Sequence, residues 1–65
     1  MLTLQVSDMT CGHCASTITK ALKAVDPAVK VDIDLASHKV AVDSTKPAET
    51  LVAAIRDAGY SPQPA

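Results

Sequence analysis

The sequence predicts an α+β sandwich built in the order strand, helix, strand, strand, helix, short strand. Three observations carry this. Leu2, Leu4 and Val6 alternate with Thr3, Gln5 and Ser7, and Val29, Val31, Ile33 and Leu35 alternate with Lys30, Asp32 and Asp34. That period of two belongs to half-buried strands. Between them Cys14, Ile18, Ala21, Leu22 and Val25 recur at helical spacing and form one apolar stripe. A second stripe, Leu51, Ala54, Ile55 and Ala58, comes later in the chain.

Each element has boundary signals. The first strand pattern breaks between Asp8 and Gly12, and the break carries Cys11. The first helix starts at about His13 and carries Lys20 and Lys23 toward its C-terminal end, where cations suit the helix dipole. Asp26-Pro27 stops it. Ala36-Ser37-His38 reads as a turn into a shorter strand, Val40 and Val42 flanked by Lys39 and Asp43, so the two strands make a hairpin. Pro47 suits the first position of the second helix. Glu49 suits its first turn and Arg56 its last. Gly59 reads as its C-terminal cap. Tyr60-Ser61 begins a last strand, kept short and at an edge because Pro62 and Pro64 lack a ladder donor.

With each crossover right-handed, this order gives a ferredoxin-like βαββαβ sandwich. Two helices cover one face of an antiparallel sheet and leave the other wet. Residues 1–65 form a single domain with no repeat, linker or low-complexity segment.

Composition excludes several classes of function. The net charge is −1 and Tyr60 is the sole aromatic residue, so the chain has neither a basic field nor a stacking platform for nucleic acid. No apolar run approaches the roughly 20 residues of a membrane span. The amino terminus lacks the basic and apolar regions of a secretory signal, which points to the cytoplasm, where thiols stay reduced. No nucleophile–base pair and no phosphate loop is present, so the chain is not expected to be an enzyme.

The chemistry therefore centres on Met9-Thr10-Cys11-Gly12-His13-Cys14, which holds the only two cysteines. Thiolates are soft ligands that select Cu(I), zinc or iron–sulfur clusters. Two of them do not complete the four-ligand set of a structural zinc site. The loop that a disulfide between them would close is too short to staple the fold usefully. Cys14 at a helix start gains thiolate character from the helix dipole. Two alternatives stand beside metal binding. One is a pair of buried apolar residues, against which Cys11 falls in a broken-out loop. The other is a small CxxC thiol oxidoreductase, against which the chain is short and Thr10 replaces the usual aromatic.

In this loop, strand order and length, the chain resembles the heavy-metal-associated domain family, and within it the bacterial copper chaperones of the CopZ type. Ala58-Gly59-Tyr60 is similar to the family's segment after the second helix. The resemblance implies that Cys11 and Cys14 bind one Cu(I), with Ag(I) as its mimic. It implies transfer by thiolate exchange to the metal-binding domain of a copper-transporting P-type ATPase. An excised metal-binding domain of that ATPase is the alternative. Zn(II) fits less well, because the zinc-preferring branch commonly places Asp where this chain has Thr10. An exposed two-thiolate site also leaves room for a copper-bridged homodimer.

Three neighbours of the cysteines have two readings each. His13 is either an auxiliary ligand or a solvated histidine at a helix start. Met9 invites reading as a thioether ligand, but its place after the strand favours packing beneath the loop. Tyr60 resembles the tyrosine that bacterial copper chaperones carry close to the metal loop, and it either bonds a cysteine sulfur or caps the core edge. His38, in the turn, reads as a surface residue. Two features depart from the family pattern: Asp8 stands where Gly is common, and the core has no Phe.

Overall fold

A computed structural model describes residues 2–64. The elements run β1 (Leu2–Gln5), α1 (Gly12–Val25), β2 (Lys30–Asp34), β3 (Lys39–Asp43), α2 (Ala48–Asp57) and β4 (Gln63–Pro64). The sheet is antiparallel throughout, in the order β2-β3-β1-β4. This is the ferredoxin-like sandwich that the hydrophobic periods predict.

The core follows from the pattern. Leu4, Val40 and Val42 from the sheet meet Ile18 and Leu22 of α1 and Leu51, Ala54 and Ile55 of α2. Val6, Met9 and Val29 join them from outside the strands and helices. Each large aliphatic side chain buried here contributes roughly 1.5–3 kcal/mol. The opposite sheet face carries Thr3, Asp32 and Asp34 in solvent. Opposite charges meet across the hairpin register, Lys30 with Asp43 and Asp34 with Lys39.

The ends of elements differ from the sequence reading in seven places: Val6–Ser7 and Val29, read as strand, lie just outside β1 and β2, and five further positions shift. Leu35 does not continue β2; it opens the turn and is 39% exposed. The alternation runs on there, but Asp34 caps the turn by accepting the Ala36 N–H at 3.0 Å. Helix α1 starts one residue earlier than expected, at Gly12. Pro47 is the cap of α2 rather than its first residue, with extended backbone. Ala58 is the half-buried C-cap of α2 rather than part of its inner face. The last strand does not begin at Tyr60-Ser61 but at Gln63, and it pairs only with β1.

That late start has a local cause. Gly59 adopts φ +99, the left-handed region glycine enters most freely. Its N–H bonds the Arg56 carbonyl at 2.9 Å, and the Tyr60 N–H reaches back to Ile55 at 3.3 Å. These paired bonds are the glycine stop of a helix. They turn the chain sharply, and Tyr60 leaves the turn packed against the core.

Candidate metal centre

The β1–α1 loop is pinned at several points before it reaches the cysteines. Met9 donates its N–H to the Val6 carbonyl at 3.1 Å and buries its side chain completely. Asp8 accepts the Ser61 N–H at 3.3 Å, which ties the loop to the segment after α2. The His38 ring reaches the Met9 carbonyl at 2.8 Å. His38 is therefore half-buried and engaged, not the plain surface residue its turn position suggests.

Cys11 is the N-cap of α1, with extended backbone. Its carbonyl accepts the Ala15 N–H at 3.2 Å, the first bond of the helix. Its side chain makes no capping bond, and the first turn carries no acidic residue. A Ser, Thr, Asp or Asn in this place would satisfy the free N–H groups of the first turn. Here those donors and the positive helix end are left facing the sulfur region, where they favour negative charge.

The two sulfurs stand 3.5 Å apart, and both cysteines are free. Cys11 is exposed; Cys14, in the first turn, is half-buried against the core. The Cys14 thiol is lowered from 9.0 to about 7. The largest cause is a hydrogen bond from the Tyr60 hydroxyl, followed by the backbone N–H of Thr10 and the neighbouring Cys11; burial opposes them. The phenol of Tyr60 is in turn raised, because it donates to Cys14 and because a phenolate beside the thiolates would be repelled.

The structure thus brings Cys11, Cys14 and Tyr60 together. Met9 lies beneath the loop with its side chain in the core, turned away from solvent. His13 is exposed on the helix turn between the cysteines. Among the described residues no three His, Cys, Asp or Glu side chains cluster closely enough to hold an ion. The donor set is two soft sulfurs in an accessible loop, one of them ionised near neutral pH. Such a set suits a soft, low-coordinate metal better than a hard divalent one.

Sequence reasoning missed His38 and Asp8 as supports of this loop. The signal for His38 was its place in a tight turn, where residues that tolerate positive φ collect.

Comparison with known proteins identifies the family. The chain is 40% identical over 52 residues to the human copper transport protein ATOX1, covering 80% of this chain and 75% of that protein. It is 37% identical over 60 residues to the copper chaperone CopZ of Staphylococcus aureus, covering 88% of each. It is also 42% identical over 60 residues to copper-transporting ATPase 2 of Rhizobium meliloti, but spans only 7% of that protein's length. Among solved structures, the copper chaperone Atx1 from Synechocystis superposes with a TM-score of 0.95 at 36% identity, covering 97% of this chain and 100% of that one. A gold binding protein superposes equally well, with a TM-score of 0.95 at 35% identity and full coverage of both chains. The model of the heavy-metal-associated domain matches residues 3–61, a span that takes in the cysteine loop, both helices and Tyr60. Fold, loop and relatives agree, and the chain belongs to the heavy-metal-associated domain family.

Proposed function

We propose that this protein is a cytoplasmic metallochaperone that carries one Cu(I) between Cys11 and Cys14. On this reading it hands the ion to the metal-binding domain of a copper-transporting P-type ATPase. The observation that carries the reading is the pair of sulfurs 3.5 Å apart at the exposed start of α1, with no third ligand clustered beside them among the described residues. The domain binds metal rather than catalysing a reaction, in keeping with relatives named copper chaperones.

The geometry supports transfer. Two thiolate bonds of about 2.3 Å in a line would separate the sulfurs by about 4.6 Å. Loading therefore opens the pair by about 1 Å on that scale. Cys11, exposed at the cap, is the one with freedom to move. The same freedom admits a thiolate from a partner, which bonds the metal before Cys11 releases it. The ion passes through shared coordination and never enters water. Ag(I), also soft and monovalent, would follow the same path; Zn(II) would need donors this loop does not supply.

Anaerobic titration with Cu(I) under reducing conditions tests the assignment. Binding should saturate at one equivalent and vanish in the Cys11→Ser/Cys14→Ser double variant. Undiminished affinity in that variant would sink it. X-ray absorption on the loaded protein would report two sulfur neighbours. A nitrogen scatterer would bring His13 into the site.

A second reading, a metal-binding domain belonging to the ATPase itself, is favoured by the 42% identity to a segment of the Rhizobium meliloti ATPase. The full open reading frame separates the two. Copper-bridged assembly is a further expectation, and one Atx1 structure is described as a trimeric form. Sedimentation with and without Cu(I) decides it.

A further inference from the structure

The metal loop is held unevenly along its length. Its first part, Val6 to Met9, is a turn closed by the Met9 N–H on the Val6 carbonyl at 3.1 Å. Both end residues of that turn bury their side chains completely. His38 grips both ends as well. Its carbonyl accepts the Val6 N–H at 2.7 Å, and its ring Nδ1 donates to the Met9 carbonyl at 2.8 Å. A carbonyl only accepts, so Nδ1 carries the proton in either charge state of the ring. At the tip of the turn, the Asp8 carboxylate accepts the Ser61 N–H at 3.3 Å. Two segments that lie 29 and 53 positions away thus clasp the turn from different directions.

None of these clasps reaches beyond Met9. Thr10, Cys11 and Gly12 are exposed, and a Cβ added at Gly12 would meet nothing within 4 Å. Among the described residues, the hydrogen bonds of Cys11 run only to Ala15 and Cys14, both within α1. The grip on the turn is itself built into the backbone of the β2–β3 hairpin. His38 has φ +57, the only positive φ outside glycine among the described residues. Asn, Asp and His are the non-glycine residues that adopt this conformation most readily.

We infer that Asp8 and His38 are positioning residues that make the Val6–Met9 turn the fixed anchor of the metal loop, with Thr10 as the hinge on which Cys11 swings. A hinge is a short stretch that absorbs a change of backbone angles between two bodies that keep their shape. The clasped turn is one such body. Helix α1, with Ile18 and Leu22 fully buried, is the other. Opening the pair of sulfurs then displaces Cys11 without lifting Met9 out of the core. Metal enters and leaves while the packing beneath the loop stays closed. The inference deepens the copper reading and rests on it for the loading measurement alone.

Amide hydrogen exchange tests the anchor in the metal-free protein. Glycine is at ease at φ +57 and removes the ring donor. Asparagine tolerates the same backbone and offers its Nδ2 in place of His Nδ1. In His38→Gly the Met9 amide should exchange about tenfold faster, the scale of one hydrogen bond, while the Leu22 amide keeps its rate. His38→Asn should restore the parent rate at Met9. Asp8→Ala should speed exchange of the Ser61 amide, and Asp8→Asn, which keeps an acceptor, should not. On loading with one equivalent of Cu(I), amide shifts should change from Thr10 through Cys14 and stay in place at Ser7 and Asp8. In His38→Gly the changes should spread into the turn. An unchanged Met9 rate in His38→Gly would overturn the inference. So would equal acceleration at Met9 and Leu22, a His38→Asn variant as fast as His38→Gly, or loading shifts at Ser7 and Asp8 as large as those at Cys11. If the parent protein fails to bind Cu(I), the copper reading falls, and the metal-free exchange rates still decide the anchor.

Discussion

Tyr60 and Cys14 pack against the same core beside the cysteine loop, and the two acids drive each other apart, the thiol down to about 7 with the Tyr60 hydroxyl as the largest cause and the phenol up. The direction of each shift follows from one contact. A donor to the thiolate stabilises the charged form of Cys14. The same thiolate disfavours charge on the phenol. Cys14 is therefore about half ionised at neutral pH, where an ordinary thiol is almost wholly protonated.

Tyr60→Phe should reverse this with little change in packing. The ring stays, and only the donor goes. Because Tyr60 is the largest cause of the lowered value, the Cys14 titration should move up from about 7 toward 9.0. The thiolate population at pH 7 then falls several-fold, and Cu(I) binding becomes more strongly pH-dependent between pH 7 and 9. Thiolate absorbance near the ultraviolet edge, or iodoacetamide reaction rate against pH, reads the shift. An unchanged midpoint would show that the backbone N–H groups hold the thiol down unaided.

Gly59 controls the same contact through the backbone. At φ +99 a side chain is strained even though nothing lies within 4 Å of where its Cβ would sit. Gly59→Ala should cost about 1–2 kcal/mol, the penalty of a left-handed conformation for an L residue. For a domain of this size each kcal/mol lowers the melting temperature by roughly 4–8 °C. Thermal unfolding followed by circular dichroism reads the loss. Because the stop also aims Tyr60, the Cys14 titration should rise in this variant as well; if it does not, the turn and the sulfur are uncoupled.

The periods of two and 3.6 and the spacing of Cys11 and Cys14 were legible because they depend on neighbours in the chain. What was not legible depends on tertiary placement. Nothing local to Asp8 says that it will accept the Ser61 N–H, 53 positions away. Nothing local to His38 says that its ring will reach Met9. Leu35 keeps the alternation of a strand, yet hairpin closure at Asp34 ends the ladder before it. Tyr60 was placed near the loop by family resemblance, whereas its packing against the core comes from the glycine stop just before it. Polar side chains that fasten one loop to another leave no periodic trace in sequence.

The far end of α1 carries a pH-sensitive clasp of its own. Asp26, the C-cap, accepts the Ala28 N–H at 3.1 Å and the Ser44 hydroxyl at 2.6 Å. These bonds and the charge of Lys46 hold its carboxyl below the ordinary 3.8, with Ser44 the largest cause. A carboxylate lowered on folding contributes stability that is complete above its unfolded value. That contribution is lost as the pH falls through its folded value. The clasp should therefore be intact at neutral pH, begin to lose its contribution as the pH falls past the unfolded value of about 4, and open fully only below the lower folded value. Ser44→Ala should narrow the difference in stability between pH 6 and pH 3, seen as converging urea midpoints. Parallel midpoints at both pH values would remove Ser44 from the clasp.

Leu22 tests how far copper and the core support one another. It is fully buried in α1 beneath the helices and sheet. Leu22→Ala should cost about 2–5 kcal/mol in lost transfer energy and cavity. A 65-residue domain holds roughly 3–10 kcal/mol in all, so the metal-free variant sits near the edge of unfolding. A ligand that binds only the folded chain restores stability by mass action, by about 2.7 kcal/mol at a hundredfold excess over its dissociation constant. Cu(I) should therefore raise the unfolding midpoint of Leu22→Ala steeply. In Leu22→Ala carrying Cys11→Ser and Cys14→Ser, copper should leave the midpoint where it was. A copper-induced rise that survives the loss of both thiols would place the ion elsewhere on the chain.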